Sequence, residues 1–189
     1  MEIEGKWIYL KNHTLKNLDN MYKWSIDYEL IEIELGNLNK RHNKDSFEKN
    51  IMALYIEHNH EANSSFCHFG IHRKSNDELI GYVDFQNIDP NLESAELSLS
   101  IPDKKYRNKH YGIDATLSAM QYGIFIRKIK NIIFRTRIDN SNVRNICEKF
   151  GMRYEIEHFS GNGYDIDLIV YTINKDVFIE IAHKLAEKE

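Results

Sequence analysis

The chain has almost no proline or cysteine, no long apolar run and no surplus of positive charge. Its only prolines are Pro90 and Pro102, and no Gly-rich linker, repeat or low-complexity block interrupts it, so residues 1–189 are expected to form a single domain. Its only cysteines, Cys67 and Cys147, are too few for a disulfide framework, and no charged leader with an apolar core opens the sequence. A reducing cytoplasm is the expected location. The apolar runs are too short to cross a bilayer, which predicts no membrane partner. Lys and Arg number 25 against 29 Asp and Glu, a net charge of −4, whereas phosphate neutralisation calls for a basic stripe; no nucleic-acid partner is expected. The densest basic run, Lys40, Arg41, His42 and Lys44, is bracketed by Asn39, Asn43 and Asp45 like a solvated loop.

What the chain does have is 42% hydrophobic and 29% charged residues, the balance of a globular protein with one substantial core. Trp7 to Leu10 predicts a short strand, and Thr14 caps a helix with Leu15, Leu18 and Tyr22 on one face. Asp45 and Glu48 form a capping box for a second helix, striped by Phe47, Ile51 and Leu54. Phe66 to Arg73 and Glu78 to Ile88 read as a hairpin joined by the polar stretch Lys74 to Asp77. In the next strand Ala95, Leu97, Leu99 and Ile101 alternate with Glu96, Ser98 and Ser100, which puts one face in a core and leaves the other polar. After Pro102 a charged loop leads to Gly112 and a helix striped by Ile113, Leu117, Met120 and Ile124.

Ile132 to Ile138 predicts another strand. Asn140, Ser141 and Asn142 then cap a helix carrying Val143, Ile146 and Phe150, with Gly151 as its stop. A weak strand near Arg153 to His158, a strand from Ile166 to Thr172 and a closing helix over 175–187 complete the order. A meander of strands followed by alternating helices and strands is an α/β domain with a mixed central sheet.

The chemistry concentrates between Glu96 and Gly112. A helix N-terminus offers unpaired N–H groups and the positive end of a dipole, enough to hold a phosphate or pyrophosphate, and a loop approaching an anion closely prefers residues without Cβ. A plain strand-loop-helix turn, with Gly112 relieving a backbone constraint, accounts for the same fragment. His58-Asn59-His60 and the pair His68 and His72 lack accompanying Cys or acidic ligand spacing, so no metal is expected. No Ser/His/Asp nucleophile motif, P-loop or dinucleotide fingerprint occurs.

Ile80-Gly81-Tyr82-Val83-Asp84-Phe85, Ala95-Glu96-Leu97-Ser98, Arg107-Asn108-Lys109-His110-Tyr111-Gly112 with Ala115, Asp139-Asn140 and Glu148-Lys149-Phe150-Gly151-Met152 follow one another in an order and spacing that resembles the GNAT acetyltransferases. The likeness is to the branch of ribosomal-protein N-terminal and spermidine acetyltransferases, over roughly Trp7 to Thr172. The resemblance implies a mixed, mostly antiparallel sheet with splayed middle strands flanked by helices. It implies an acetyl-CoA-dependent N-acetyltransferase acting by direct attack of a primary amine in a ternary complex. Arg107, Asn108, Lys109, His110, Tyr111 and Gly112 would form the pyrophosphate loop, Leu99, Ser100 and Ile101 would run beside the pantetheine arm, and Asn140 would contact acetyl-CoA from across the opening. Acceptors consistent with it are a protein N-terminus, a polyamine or an amino sugar; a homodimer is left open.

Two positions depart from the family pattern: His110 stands where glycine is usual, and Cys147 where many relatives have a tyrosine acid. Cys147 also reads as a small buried residue. Amine attack needs a proton acceptor, for which Glu96 on the polar strand face is the first candidate and Asp84 the reserve, with Ser98 positioning a water. Glu96 reads equally as a solvated strand residue. The region from Trp24 to Asn39, with Asp27, Tyr28, Glu29 and Glu32, is expected to cover the acceptor side. The rival expectation is a non-catalytic acyl-CoA sensor or interaction module.

Overall fold

A computed structural model describes residues 1–27, 45, 66–89, 91, 93–161 and 164–186. The second helix expected after Asp45, the basic run, His58 to His60, and Tyr28, Glu29 and Glu32 lie outside the described residues.

Eight strands form one sheet: β1 (Glu2–Glu4), β2 (Ile8–Lys11), β3 (Cys67–Arg73), β4 (Leu79–Asp89), β5 (Ser94–Ser100), β6 (Asn131–Arg137), β7 (Arg153–Gly161) and β8 (Tyr164–Asn174), in spatial order β1-β2-β3-β4-β5-β6-β8-β7. Every neighbouring pair is antiparallel except β5 and β6. A parallel pair needs a crossover, supplied here by α2 (Tyr111–Phe125). The other described helices are α1 (Leu18–Ser25), α3 (Ser141–Lys149) and α4 (Lys175–Ala186).

Period-two alternation divides the sheet into an apolar and a polar face. Ile8 and Leu10, Phe69 and Ile71, Val83 and Phe85, and Ala95 and Leu97 are buried together with Ala115, Ala119, Met120 and Tyr122 of α2. The Phe69 and Tyr122 rings meet edge to face at 5.2 Å. On the opposite face the register aligns His68, Asp84 and Ser98 in one row, and Gly70, Tyr82 and Ser100 in the next.

Three expectations are corrected. Leu15 belongs to a 3₁₀ turn (Leu15–Asn17) capped by Thr14 and is 61% exposed; Leu18 and Met21 bury α1 instead. On α2, Met120 and Ile124 are buried as expected, but Ile113 and Leu117 are only partly buried, and much of the rest of the buried face is small or polar, including Asp114, Ala115, Thr116, Ser118 and Ala119. Small side chains let the helix axis lie close to the sheet, which the apolar stripe alone does not reveal. The two-stranded start, β1 with β2, was not foreseen; β1 has only three residues and one partly buried side chain, Ile3.

Gly81 is demanded by packing, because a Cβ there would lie 2.2 Å from the Ser100 carbonyl oxygen. Gly81→Ala must push β5 away from β4 and is expected to cost about 2 kcal/mol or more, read as a lower denaturant midpoint at unchanged m-value.

Candidate active site

The β5–β6 pairing is short. It runs from Ser94↔Asn131 to Glu96↔Ile133, although β5 continues to Ser100 and β6 to Arg137. Beyond that point β5 stays on β4 through Ser100↔Tyr82, and β6 stays on β8 through Arg137↔Leu168. The two strands therefore part, and a cleft of about 660 Å³ opens between them. Past Glu96, the β5 edge facing the gap has no described strand partner, which leaves main-chain donors and acceptors for an amide-bearing ligand to pair with as an added strand would.

One end of the cleft reaches the start of α2. The first intrahelical bond is donated by Asp114 N to His110 O at 2.9 Å, so the amides of Tyr111, Gly112 and Ile113 precede the helical ladder and carry the positive end of its dipole. The loop ahead of them is built by side chains. Arg107 donates from Nε to Ile101 O at 2.8 Å and from Nη2 to Pro102 O at 2.7 Å, so its guanidinium braces the loop. Asp103 accepts from Lys105 N at 2.9 Å, Tyr111 Oη accepts from Arg73 Nε at 3.2 Å, and Tyr106 donates its hydroxyl proton to Glu78.

The left-handed backbone in this loop is carried by Asn108 (φ 58°) and His110 (φ 65°), and Gly112 has no such φ. This excludes backbone relief as the reason for Gly112. His110 occupies the left-handed conformation at a cost of about 1 kcal/mol, and its ring packs against Trp7 at 5.7 Å. Trp7 is held in turn by Asp114, whose carboxylate accepts from the backbone N–H groups of Lys6 at 2.8 Å, Trp7 at 2.6 Å and Ile8 at 3.1 Å.

Glu96, Ser98, Leu99, Ser100, Ile101, Arg107, Asn108, His110, Gly112 and Asn140 all line the cleft; Lys109, Tyr111 and Asp84 do not. Asn140 Oδ1 accepts from Val143 N at 3.4 Å, so the residue caps α3 while facing the gap. Glu96 Oε2 accepts from Arg135 Nη1 at 2.6 Å, and Arg135 Nε reaches Glu157 at 3.2 Å. Cys147 is fully buried, and burial pushes its thiol up to about 12, which suits packing rather than acid chemistry. Arg135, Thr136, Arg137, Glu157, His158 and Phe159 also line the cleft and were not anticipated. They come from β6 and β7, and their place depends on which strand lies across the gap, information that local periodicity does not hold. His158 is bracketed by Asp167 at 3.1 Å and Asp165 at 2.9 Å, which raise its imidazole above the usual range.

One row behind the wall lies Asp84, 4% exposed, with Oδ1 accepting from Gln86 Nε2 at 3.1 Å; Gln86 itself lines the cleft. Burial pushes Asp84 up to about 7, with Gln86 opposing, and pushes His68 down to about 3 and His13 to about 2. Trp24, Tyr82, His68 and Phe66 form an aromatic row on the same face, with centroid spacings of 6.0, 5.3 and 5.8 Å. Among the described residues no His, Cys, Asp and Glu grouping is fit to hold a metal ion, and no described helix is long and apolar enough to cross a membrane.

Comparison with known proteins agrees with this geometry. The family model of the Acetyltransferase (GNAT) domain matches residues 8–153. A spermidine N-acetyltransferase from Vibrio cholerae, solved in complex with CoA and spermine, superposes with a TM-score of 0.77 at 19% identity, over 92% of this chain and 98% of that one. A GNAT-family acetyltransferase from Bacillus anthracis superposes with a TM-score of 0.74 at 18% identity, over 93% and 99% of the two chains. No curated protein matches the sequence.

Two outcomes test the site. A Cβ on Gly112 would meet only side chains at 3.7 Å or more, so Gly112→Ala should keep or slightly raise the melting temperature while weakening acetyl-CoA binding about tenfold by calorimetry, as a methyl group enters the cradle. The raised Asp84 makes folding most favourable below about pH 4, and that contribution is lost as pH rises through about 7. Asp84→Asn should therefore gain stability over the parent at pH 8, by a few kcal/mol, and the gain should shrink towards pH 5. The lowered histidines act in the opposite sense, losing stability as pH falls below 6.5, but are common to both proteins.

Proposed function

The chain belongs to the GNAT acetyltransferases, N-acetylating enzymes that draw on acetyl-CoA, and from that membership we propose that its acceptor is an alkyl primary amine that arrives as a cation, a polyamine in preference to an amino sugar. The observation that carries this reading is that Ser98 and Gln86 of the cleft wall adjoin the buried Asp84, and that the row of rings from Trp24 through Tyr82 and His68 to Phe66 lies on the same face of the sheet. Ring faces attract an ammonium and cover an alkyl chain. An amino sugar would instead call for a dense set of hydrogen-bonding partners for its hydroxyls. The spermine-bound relative is consistent with this acceptor class.

Acetyl-CoA supplies an activated acyl carbon and a good leaving group. The amides of Tyr111, Gly112 and Ile113, with the loop braced by Arg107, are assigned to its diphosphate. The unpartnered β5 edge from Leu97 to Ser100 is assigned to its amide-bearing arm. Glu96 and Arg135 tie the root of the split together and fix its width. Asp84 is assigned as the proton acceptor, with Ser98 and Gln86 orienting the group that delivers the proton; Glu96 Oε2 is already engaged by Arg135. Oriented binding and a dry site supply much of the rate.

Acetyl-CoA should raise the melting temperature, and free thiol should appear in its presence with spermidine faster than with glucosamine or a peptide bearing a free N-terminus. Stabilisation without thiol release from any amine would favour the sensor reading, and thiol release confined to glucosamine would overturn the acceptor class.

A further inference from the structure

The strand register builds a buried polar row that no step described so far uses in full. Ser98, Asp84 and His68 are direct cross-strand partners on β5, β4 and β3, and opposed residues of this kind hold their Cβ atoms about 5 Å apart. On β2 the register Lys11↔Gly70 carries His13 to the level of His68, and their rings stack at 4.6 Å. The row starts at the cleft wall, where Ser98 lies, and runs into the interior: Asp84, His68 and His13 are all no more than 4% exposed. His68 Nδ1 stands 3.5 Å from Asp84 Oδ2, while Gln86 holds the other carboxylate oxygen from the cleft side.

We infer that His68 is a positioning residue for acetyl transfer, its uncharged ring backing Asp84 so that the carboxylate stays dry, keeps one oxygen towards the cleft and takes the acceptor's proton. This rests on the assignment of Asp84 as proton acceptor. The substrate ammonium gives one proton to a water held at Ser98 and Gln86, which passes one of its own on to the Asp84 carboxylate, and the N–H electron pair returns to nitrogen. The freed amine forms the C–N bond with the acetyl carbon as the C–S bond breaks, its pair leaving on sulfur. Sulfur takes the second proton from nitrogen, and Asp84 returns its own to water at the cleft edge. A cation at position 68 would spoil this, because it would hold the carboxylate ionised and make it a weaker acceptor. Burial keeps both His68 and His13 neutral across the working range. The other titratable groups of this face, among the described residues, include Tyr82, whose ring packs on His68 and Trp24, Lys11, paired with Asp77 and Glu2, His72, whose Nδ1 lies 3.0 Å from Asp77 O, and Glu96, paired with Arg135.

The test is the pH profile of kcat with spermidine and saturating acetyl-CoA for the parent, His68→Phe and His68→Lys. The parent should lose activity on the acid side with a midpoint near that of Asp84, about 7. His68→Phe, which keeps the ring and the dryness, should retain that midpoint, whereas His68→Lys should move it down by about one pH unit or more and lower the plateau about tenfold. Equal midpoints in the parent and His68→Lys overturn the inference. Because burying a lysine there puts folding itself at risk, the carboxyl infrared signal of the parent without substrates is followed with pH as well. A carboxyl titrating near neutrality that vanishes in Asp84→Asn supports the pair, and its absence from the parent overturns it. Failure of every amine to release thiol would sink the proposed acceptor chemistry and leave that titration intact, which separates the two outcomes.

Discussion

The parting of β5 from β6 is the constraint on which the rest of the molecule depends. Each strand is anchored on its far side, β5 to β4 as far as Ser100 and β6 to β8 as far as Arg137, while the shared edge closes only from Ser94 to Glu96. The gap is thus a consequence of two well-paired half-sheets diverging. Gly81 allows β4 to approach the Ser100 carbonyl closely enough to hold β5 back, and the Glu96–Arg135–Glu157 chain ties the strands where they still touch. Main-chain groups that would ordinarily be an edge liability are thereby left facing the cleft, where the proposed function places the cofactor's amide-bearing arm.

The loop at the mouth of the cleft shows how local strain is offset by distant contacts. His110 and Asn108 adopt left-handed backbone that favours glycine, yet the loop is braced by Arg107 on two carbonyls and by the Asp114 carboxylate on three amides of the β1–β2 connection. That carboxylate seats Trp7, and Trp7 receives the His110 ring. The imidazole therefore has a packing partner outside the amides proposed to hold the diphosphate, which reconciles a histidine in this position with an open helix N-terminus.

Much of this was legible in the sequence because it rests on short-range signals. The alternation from Ala95 to Ile101, the Asn140 cap and the Gly151 stop (φ 64°) each depend on residues within a few positions of one another. The resemblance motifs likewise brought most of the cleft-lining residues of β5 and the α2 loop together. Arg135, Glu157 and His158 escaped because their role arises from β7 and β8 folding back beside β6, a pairing over long sequence separation. Part of the buried face of α2 escaped for another reason: Asp114 looks solvent-facing until the backbone amides of another element require an acceptor.

The same logic explains why the candidate proton acceptor is found by burial and not by exposure to the cleft. A carboxylate on the open wall, such as Glu96, is met by solvent and by Arg135, and its charge is answered there. Among the described residues, Asp84 has an amide from Gln86 and a neutral imidazole beside it, so desolvation decides its proton affinity. The rings of Tyr82 and Trp24 continue the same face beyond His68, and ring faces of this kind attract an ammonium, the acceptor class proposed above. In the proposed reading, recognition of a cationic acceptor and removal of its proton both draw on this one arrangement, a single buried acid one side chain removed from the gap.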